Sequence, residues 1–341
     1  MWQIGDIKFK SKVVLAPMAG YTSLGYREFY KPFGVGYSVT EMISDSGIVF
    51  HNQNTIDYLK TSKLDRPVAI QLFGSNIDTT LKAIDIINNE LKIEYDFLDL
   101  NFGCPVSKVV NSHAGSYHLK DLDKLYDYVS KIVEHSKKPV TAKIRLGYDN
   151  NHINVIDTVD VLTKAGVKAI AIHARTKQEM YSGLPHYEYL KDLGLKMKIP
   201  LIISGNIFTL DDAIKAMDIT KANAVMVARG GLGNPFLVKQ IDTYFSKKIK
   251  LDSVDPLMNI KYCLSLADKL IEEKGEDKAM MIYRSIAPHF IKNIPGAKKY
   301  RMALSQNLLT RKDLEYVLND ISKEIGNYGK WKSKSNWSRK S

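Results

Sequence analysis

The sequence predicts a (β/α)8 barrel, the TIM architecture, followed by a small all-helical domain. Three observations lead there. Eight short runs rich in Val, Ile, Leu and Phe recur between Lys12 and Ala228, with stretches between them that place apolar residues at helical spacing. Beyond Tyr244 the strand-like runs stop and only helical periodicity remains. At 341 residues the chain exceeds an ordinary single domain but suits one large α/β barrel with a smaller partner.

The expected strands are Lys12–Ala16, Gly36–Glu41, Pro67–Leu72, Asp96–Asn101, Pro139–Ile144, Lys168–His173, Ile199–Ser204 and Asn223–Ala228. Their apolar runs are continuous and not alternating, as in strands buried on both faces. Between them, Ile77–Leu91 and Leu122–His135 read as amphipathic helices. Eight such units match a closed barrel, whose chemistry gathers at the C-terminal ends of its strands; a doubly wound open sheet is the alternative. The polar stretch Ser246–Pro256 reads as a linker. After it, Ile260, Cys263, Leu264, Ala267, Leu270 and Ile271 trace one helical face, and Leu308, Leu314, Val317, Leu318 and Ile321 mark later helices of a bundle. The expected division is a catalytic barrel over 1–246, a helical domain over 256–325 and a tail over 326–341. That tail carries Lys330, Lys332, Lys334, Arg339 and Lys340 without an acid, a composition that points to disorder.

Hydrophobic residues make up 45% and charged residues 25%, so the chain can bury a core and is neither disordered nor fibrous. No run approaches the ~18 apolar residues of a membrane helix, and the N-terminus lacks a signal pattern, so a cytoplasmic protein with no membrane contact is expected. Two cysteines exclude a disulfide framework, and the eight histidines do not cluster, so no metal site is expected. Lys and Arg total 49 against 37 Asp and Glu, a net charge of +12 that suggests a polyanionic partner. The excess is concentrated: residues 255–341 hold 17 basic and 10 acidic residues.

Polar residues stand just past each expected strand, where a barrel places its site. Strand one runs into Ala16-Pro17-Met18-Ala19-Gly20, strand two into Glu41-Met42 and strand three into Gln71. Strand four leads to Asn101-Phe102-Gly103-Cys104-Pro105, strand five to Lys143 and Arg145, and strand six to His173-Ala174-Arg175-Thr176. Ser204-Gly205-Asn206 and Arg229-Gly230-Gly231 follow the last two, with Asn234-Pro235 as a helix start. These glycine loops suit a phosphate, or are turns that close the barrel. Lys143, a cation inside an apolar strand, faces negative charge or snorkels from the strand end. Gln71 can donate and accept at once toward a heterocycle's imide edge, or makes a structural bond at the rim. His173 binds a ligand or is a satisfied rim histidine. Arg175 offers a fork to an anion, or forms a surface ion pair. Cys104, between Gly103 and Pro105, reads as an exposed site thiol, and Cys263 as core. No G-x-G-x-x-G follows a strand, so a resident Rossmann dinucleotide site is not supported.

Taken together, Ala16-Pro17-Met18-Ala19-Gly20, Leu98-Asp99-Leu100-Asn101-Phe102-Gly103-Cys104-Pro105 with Gly115-Ser116, Ala142-Lys143-Ile144-Arg145, His173-Ala174-Arg175-Thr176 and Ala228-Arg229-Gly230 resemble the tRNA-dihydrouridine synthases, most of all the bacterial B-type subgroup. Arg284 and Ile294-Pro295-Gly296-Ala297 with Arg301 resemble that family's C-terminal tRNA-binding segment. The resemblance implies an FMN cofactor, NADPH as reductant, and reduction of the C5=C6 bond of uridines in tRNA. It implies that Pro17, Met18 and Ala19 line the flavin, that Gln71 and Lys143 contact its pyrimidine end and that His173 lies beside it. Ser204, Gly205, Asn206, Ala228, Arg229 and Gly230 would hold its phosphate. Cys104 would donate the proton, and Asn101 and Arg175 would orient the uracil.

The target base must leave its stack to enter the barrel mouth, and Arg284, Lys292, Lys298, Lys299 and Arg301 are the expected phosphate partners. The chain departs from the family at Lys177, where a second arginine is common, and at Tyr117-His118, where smaller residues are usual. A monomer is expected. Two other classes stand as alternatives: an FMN barrel acting on a free pyrimidine, in the manner of dihydroorotate dehydrogenases, and a noncatalytic RNA-binding protein. The basic C-terminal region argues against the first, and intact Cys104 and Lys143 against the second.

Overall fold

The computed structural model describes residues 1–292, 294, 296–306 and 308–337, the last eleven as backbone alone. Pro295 of the expected tRNA-binding segment, and Arg339 and Lys340 of the tail, lie outside the described residues. The chain divides into two compact units, one of residues 1–230 and 237–250, the other of 231–236 and 251 onward.

In the first unit, a hairpin of β1 (Trp2–Ile4) and β2 (Ile7–Phe9) precedes eight parallel strands: β3 (Val13–Leu15), β4 (Tyr37–Ser44), β5 (Val68–Phe73), β6 (Phe97–Phe102), β7 (Val140–Arg145), β8 (Ile170–His173), β9 (Leu201–Ser204) and β10 (Ala224–Val227). Each of the eight overlaps an expected strand. They form a closed barrel in chain order, and the ring is completed where β10 pairs with β3, Val225 opposite Val13.

Alternation within the strands sorts the interior by height. Near the N-terminal end the inward residues are apolar: Tyr37, Phe97, Ala69, Ala169, Ile202 and Ala224 belong to one buried cluster. The hairpin closes that end, its Trp2 and Phe9 rings stacked at 4.6 Å and Phe9 tilted against Tyr37 and Phe97. Two residues further along, the same faces present Asp99, Gln71, Thr141 and Ser204, and then Asn101, Lys143 and His173. The barrel is thus an apolar plug below and a polar mouth above.

Helices surround it with local signals in place. Leu122–His135 forms as expected, its N-terminus capped by the Asp121 side chain, which accepts from the Lys124 N–H. Thr209 and Asp212 make a capping box at the start of Leu210–Thr220. The stretch expected as one helix over Ile77–Leu91 ends in a π-turn, Ile86–Glu90.

The second unit contains helices Pro256–Lys274, Glu276–Tyr283, Ala297–Gln306 and Arg311–Trp337, with a 3-10 turn at Ala287–Ile291. Ile260, Cys263, Ala267 and Leu270 are buried, as are Leu308, Leu314, Leu318 and Ile321. Burial pushes the Cys263 thiol up to about 12, in keeping with a core residue. The last helix differs from the expected disordered tail: its backbone continues through Lys330, Lys332 and Lys334 to Trp337. The segment has no proline, and cations at a helix C-terminus favour the dipole.

Candidate active site

Cys104 sits on the loop after β6 and is partly exposed. Its position is fixed from several sides. The Asn101 Oδ1 accepts the N–H groups of Gly103 at 3.1 Å and Cys104 at 2.9 Å, and the Cys104 carbonyl accepts from the Ser116 N–H and, at 2.9 Å, from its hydroxyl. Gly115 has φ +60°, and a Cβ there would stand 3.0 Å from that same carbonyl, so the turn that delivers Ser116 requires glycine. Arg145 donates from Nε to the Gly103 carbonyl at 2.7 Å. Burial pushes the thiol above its ordinary pKa, partly offset by the Val106 N–H and by Arg145 and Lys143. At neutral pH the sulfur carries its proton.

Beneath the loop lies a relay of buried polar groups. Thr141 and Gln71 donate to the two Asp99 oxygens, each at 2.6 Å, and the Asn101 amide donates to Gln71 Oε1 at 2.8 Å. Burial raises the Asp99 pKa, against the lowering effect of Thr141, Gln71 and Lys143. Lys143 stands opposite Asn101 on β7. Among the described residues of its unit no oxygen accepts a hydrogen bond from its ammonium, which burial and Arg145 push down to about 8 while Asp99 and Cys104 pull it up.

On β8, His173 is nearly enclosed, and its Nε2 lies 3.2 Å from Arg175 Nη1. Arginine can only donate, so Nε2 accepts and the imidazole proton sits on Nδ1. Burial, then Arg145, Lys143, Arg175 and Arg229, hold the His173 pKa well below its ordinary value, so the ring is neutral. The depression records a local excess of positive charge: these four cations outnumber the carboxylates Asp99 and Glu179 that act on them.

Four residues expected at the substrate already have polar atoms engaged within the protein. Asn101 commits its amide to Gln71, Gly103 and Cys104. Arg175 is fully buried and donates to the Ser182 and Gly183 carbonyls, to Asn206 Oδ1 and to His173, so it fastens the loop after β8. In the second unit, Arg284 donates from Nε to the Leu308 carbonyl at 2.8 Å, and Lys299 pairs with Glu324 at 2.5 Å. A fork or an ammonium satisfies backbone carbonyls and carboxylates as readily as phosphates, which residue type alone cannot distinguish. Lys292, Lys298, Lys299 and Arg301 are all exposed.

The remaining expected residues converge on the mouth. Ala16 belongs to the interior cluster, with Met18 and Ala228 packed against it; Pro17 is half-buried and Ala19 exposed. Ser204 is buried at the end of β9, and Gly205 lies beside the His173 ring. Gly230 is pressed so closely against the Ile207 carbonyl that no Cβ fits, which brings the loops after β9 and β10 together. Within its unit the Arg229 guanidinium makes no hydrogen bond or ion pair; it lies over the rings of Tyr181 at 4.8 Å and Phe208 at 5.7 Å.

Three residues of consequence were missed. Asp99 anchors the relay, and the period-2 alternation of Phe97-Leu98-Asp99-Leu100-Asn101 could have placed it on the face of Asn101. Arg145, noted only as a strand end, holds Gly103 as well as the Thr176 and Met180 carbonyls. Tyr181, half-exposed, spans Arg145 and Arg229, and no local pattern announces it.

A closed barrel stopped at one end, with a held thiol, an unpartnered ammonium and a neutral imidazole at the other, defines an enzyme-type (β/α)8 protein with its site in the strand-end loops. Residues 14–326 match the family model described as dihydrouridine synthase, and the chain belongs to that family. It is 30% identical over 310 residues to the probable tRNA-dihydrouridine synthase of Rickettsia bellii, covering 89% of this chain and 93% of the relative. To the probable tRNA-dihydrouridine synthase of Aquifex aeolicus it is 32% identical over 295 residues (86% and 90%), and to tRNA-dihydrouridine synthase B of Pasteurella multocida 30% over 309 residues (89% and 90%). Among solved structures, an amine oxidase from Pseudomonas geniculata covers 73% of this chain and 49% of its own at a TM-score of 0.52 and 10% identity, a likeness of fold. Among the described residues no helix is long and apolar enough to cross a membrane, and no His, Cys, Asp or Glu cluster is arranged to hold a metal.

Proposed function

We propose that this chain reduces uridines in tRNA to 5,6-dihydrouridine, with FMN in the barrel mouth and NADPH as reductant. The observation that carries this is Cys104, a protonated, partly exposed thiol held by Asn101, Ser116 and Arg145 beside the free ammonium of Lys143. The excess of cations at the mouth fits an anionic cofactor. Lys143 and Gln71 are the residues to meet its pyrimidine end, with His173 beside it and Pro17, Met18 and Ala19 as its wall. Ser204, Gly205, Asn206, Ala228, Arg229 and Gly230 are the residues to hold its phosphate. When bound, the flavin supplies the hydride that adds to the C5=C6 bond.

The protein's part is to supply the proton. Sγ of Cys104 keeps its hydrogen at neutral pH and delivers it to C5 of the uracil, a general-acid step. Asn101 does this work indirectly: both N–H groups that shape the turn end on its carbonyl, and the Asp99–Gln71 relay fixes its amide. Lys143 offers positive charge where negative charge gathers, in a site too enclosed for water to screen it fully. In the helical unit, Lys292, Lys298 and Arg301 are the cations to meet the tRNA backbone.

The test is Cys104→Ala. The purified variant should stay yellow and bind tRNA, while dihydrouridine formation on an unmodified transcript falls by at least about 100-fold, the usual scale of a lost general acid. Wild-type turnover in the variant would refute the assignment.

A further inference from the structure

The rim of the mouth carries an arrangement that the chemistry at Cys104 does not use. One residue beyond the Gly115-Ser116 pair that holds Cys104, Tyr117 stacks on His113 with ring centroids 4.4 Å apart and planes at 27°. Lys120 lies over the Tyr117 ring at 5.1 Å and over Tyr148 at 4.1 Å, and Lys177 also lies over the Tyr148 ring at 4.6 Å. The series therefore joins the loops after β6, β7 and β8, with rings and cations in alternation.

His113 is exposed and has φ +59°, a backbone state shared by the exposed His51, Met180, Lys221 and Lys248; what sets it apart is the stacked ring array, not the strain. Three acids of these loops, moreover, are engaged elsewhere: Asp121 with Lys124 at 2.9 Å, Asp149 with His152 at 2.7 Å and Glu179 with His186 at 2.6 Å. Lys177 also donates to the Tyr148 hydroxyl at 3.4 Å, and among the described residues neither Lys120 nor Lys177 is paired with a carboxylate. Stacking faces interleaved with unneutralised cations fit unpaired nucleobases on a phosphate backbone, since every base has a face to stack and each cation releases counterions.

We propose that His113, Tyr117, Lys120, Tyr148 and Lys177 form a stacking platform for the tRNA nucleotides flanking the base that enters the mouth. The inference rests on the reading of tRNA as substrate. The platform supplies part of the binding that offsets extrusion of the target base.

The experiment measures binding of the flavin-loaded full chain to an unmodified tRNA transcript at several salt concentrations. His113→Gly relieves the backbone and should leave the melting temperature unchanged or higher while weakening tRNA binding; Tyr117→Ala should weaken binding by about 5- to 150-fold with an unchanged salt slope. Lys177→Met should instead lower the salt slope by about one. NADPH oxidation in the absence of tRNA should be the same in all three. Unchanged tRNA affinity in His113→Gly and Tyr117→Ala overturns the platform, as does self-association of the wild type that these changes abolish while tRNA affinity holds. A wild-type chain with no affinity for tRNA overturns the functional reading itself, and the platform with it.

Discussion

Gly115→Ala isolates the geometry of the Cys104 loop. At φ +60° any Cβ-bearing residue is strained by about 1–2 kcal/mol. The new methyl would also stand 3.0 Å from the Cys104 carbonyl and from Val109 Cγ1, and 3.2 Å from Cys104 Cβ, so the acid-bearing residue itself must yield by a few tenths of an ångström. Since a misplacement of about 1 Å costs on the order of 100-fold in rate, a shift of this size should lower kcat by roughly three- to tenfold. Gly275→Ala is the control: at φ +78° and ψ 158°, a region essentially restricted to glycine, the added carbon brings backbone strain, but nothing lies within 4 Å of it. Both variants should melt a few degrees lower. Dihydrouridine formation on a tRNA transcript, at saturating NADPH, should fall in Gly115→Ala alone. Full turnover in that variant, or an equal loss in Gly275→Ala, would refute the reasoning.

Two further outcomes follow from buried groups. His118 donates from Nε2 to the Gly74 carbonyl, and burial lowers its pKa below the ordinary 6.5; the unfolded chain therefore takes up the proton first, and stability is lost as pH falls below about 6.5. In His118→Gln that loss is removed, so the gap in urea midpoint between wild type and variant should narrow from pH 7.5 toward pH 5.5, roughly the span around the unfolded value; a gap that widens on acidification would contradict the assignment. Arg27 is fully buried, paired with Asp65 at 2.8 Å and bonded to the Thr22 and Lys60 carbonyls. Arg27→Met strands the carboxylate and should cost about 3–5 kcal/mol in urea unfolding, with the Arg27→Met/Asp65→Leu double variant recovering part of it; a loss under about 1 kcal/mol in the single variant would count against a working pair.

The barrel strands were legible because each is a short run buried on both faces, and nothing but a parallel barrel or open sheet uses eight of them in sequence. The N-terminal hairpin was not recognised, although its signal is present: Gly5-Asp6 separates Trp2-Gln3-Ile4 from Ile7-Lys8-Phe9, and Ile4 pairs with Ile7 across a two-residue turn. Three-residue strands simply offer too few positions for alternation to stand out. At the site, residue type located the mouth but not the commitments within it. Lys143 and Arg175 look equally available in the sequence; the fold leaves the first open and spends the second on backbone carbonyls, a distinction set by contacts far apart in the chain. The last helix was concealed by its composition, since a lysine-rich segment without acids suits a solvated helix as well as a coil.

The pairing of Val13 with Val225 also sets a timetable for biogenesis. The residues that seal the ring leave the ribosome 212 positions apart, an interval of about 10–40 seconds at ordinary elongation rates. Until then β3 is a bare edge and the Trp2–Phe9 hairpin a stopper without its bottle, so the nascent chain holds its first-made apolar surface in waiting for its last-made partner. Chaperone demand should therefore peak before Val227 emerges and subside once the cylinder can shut.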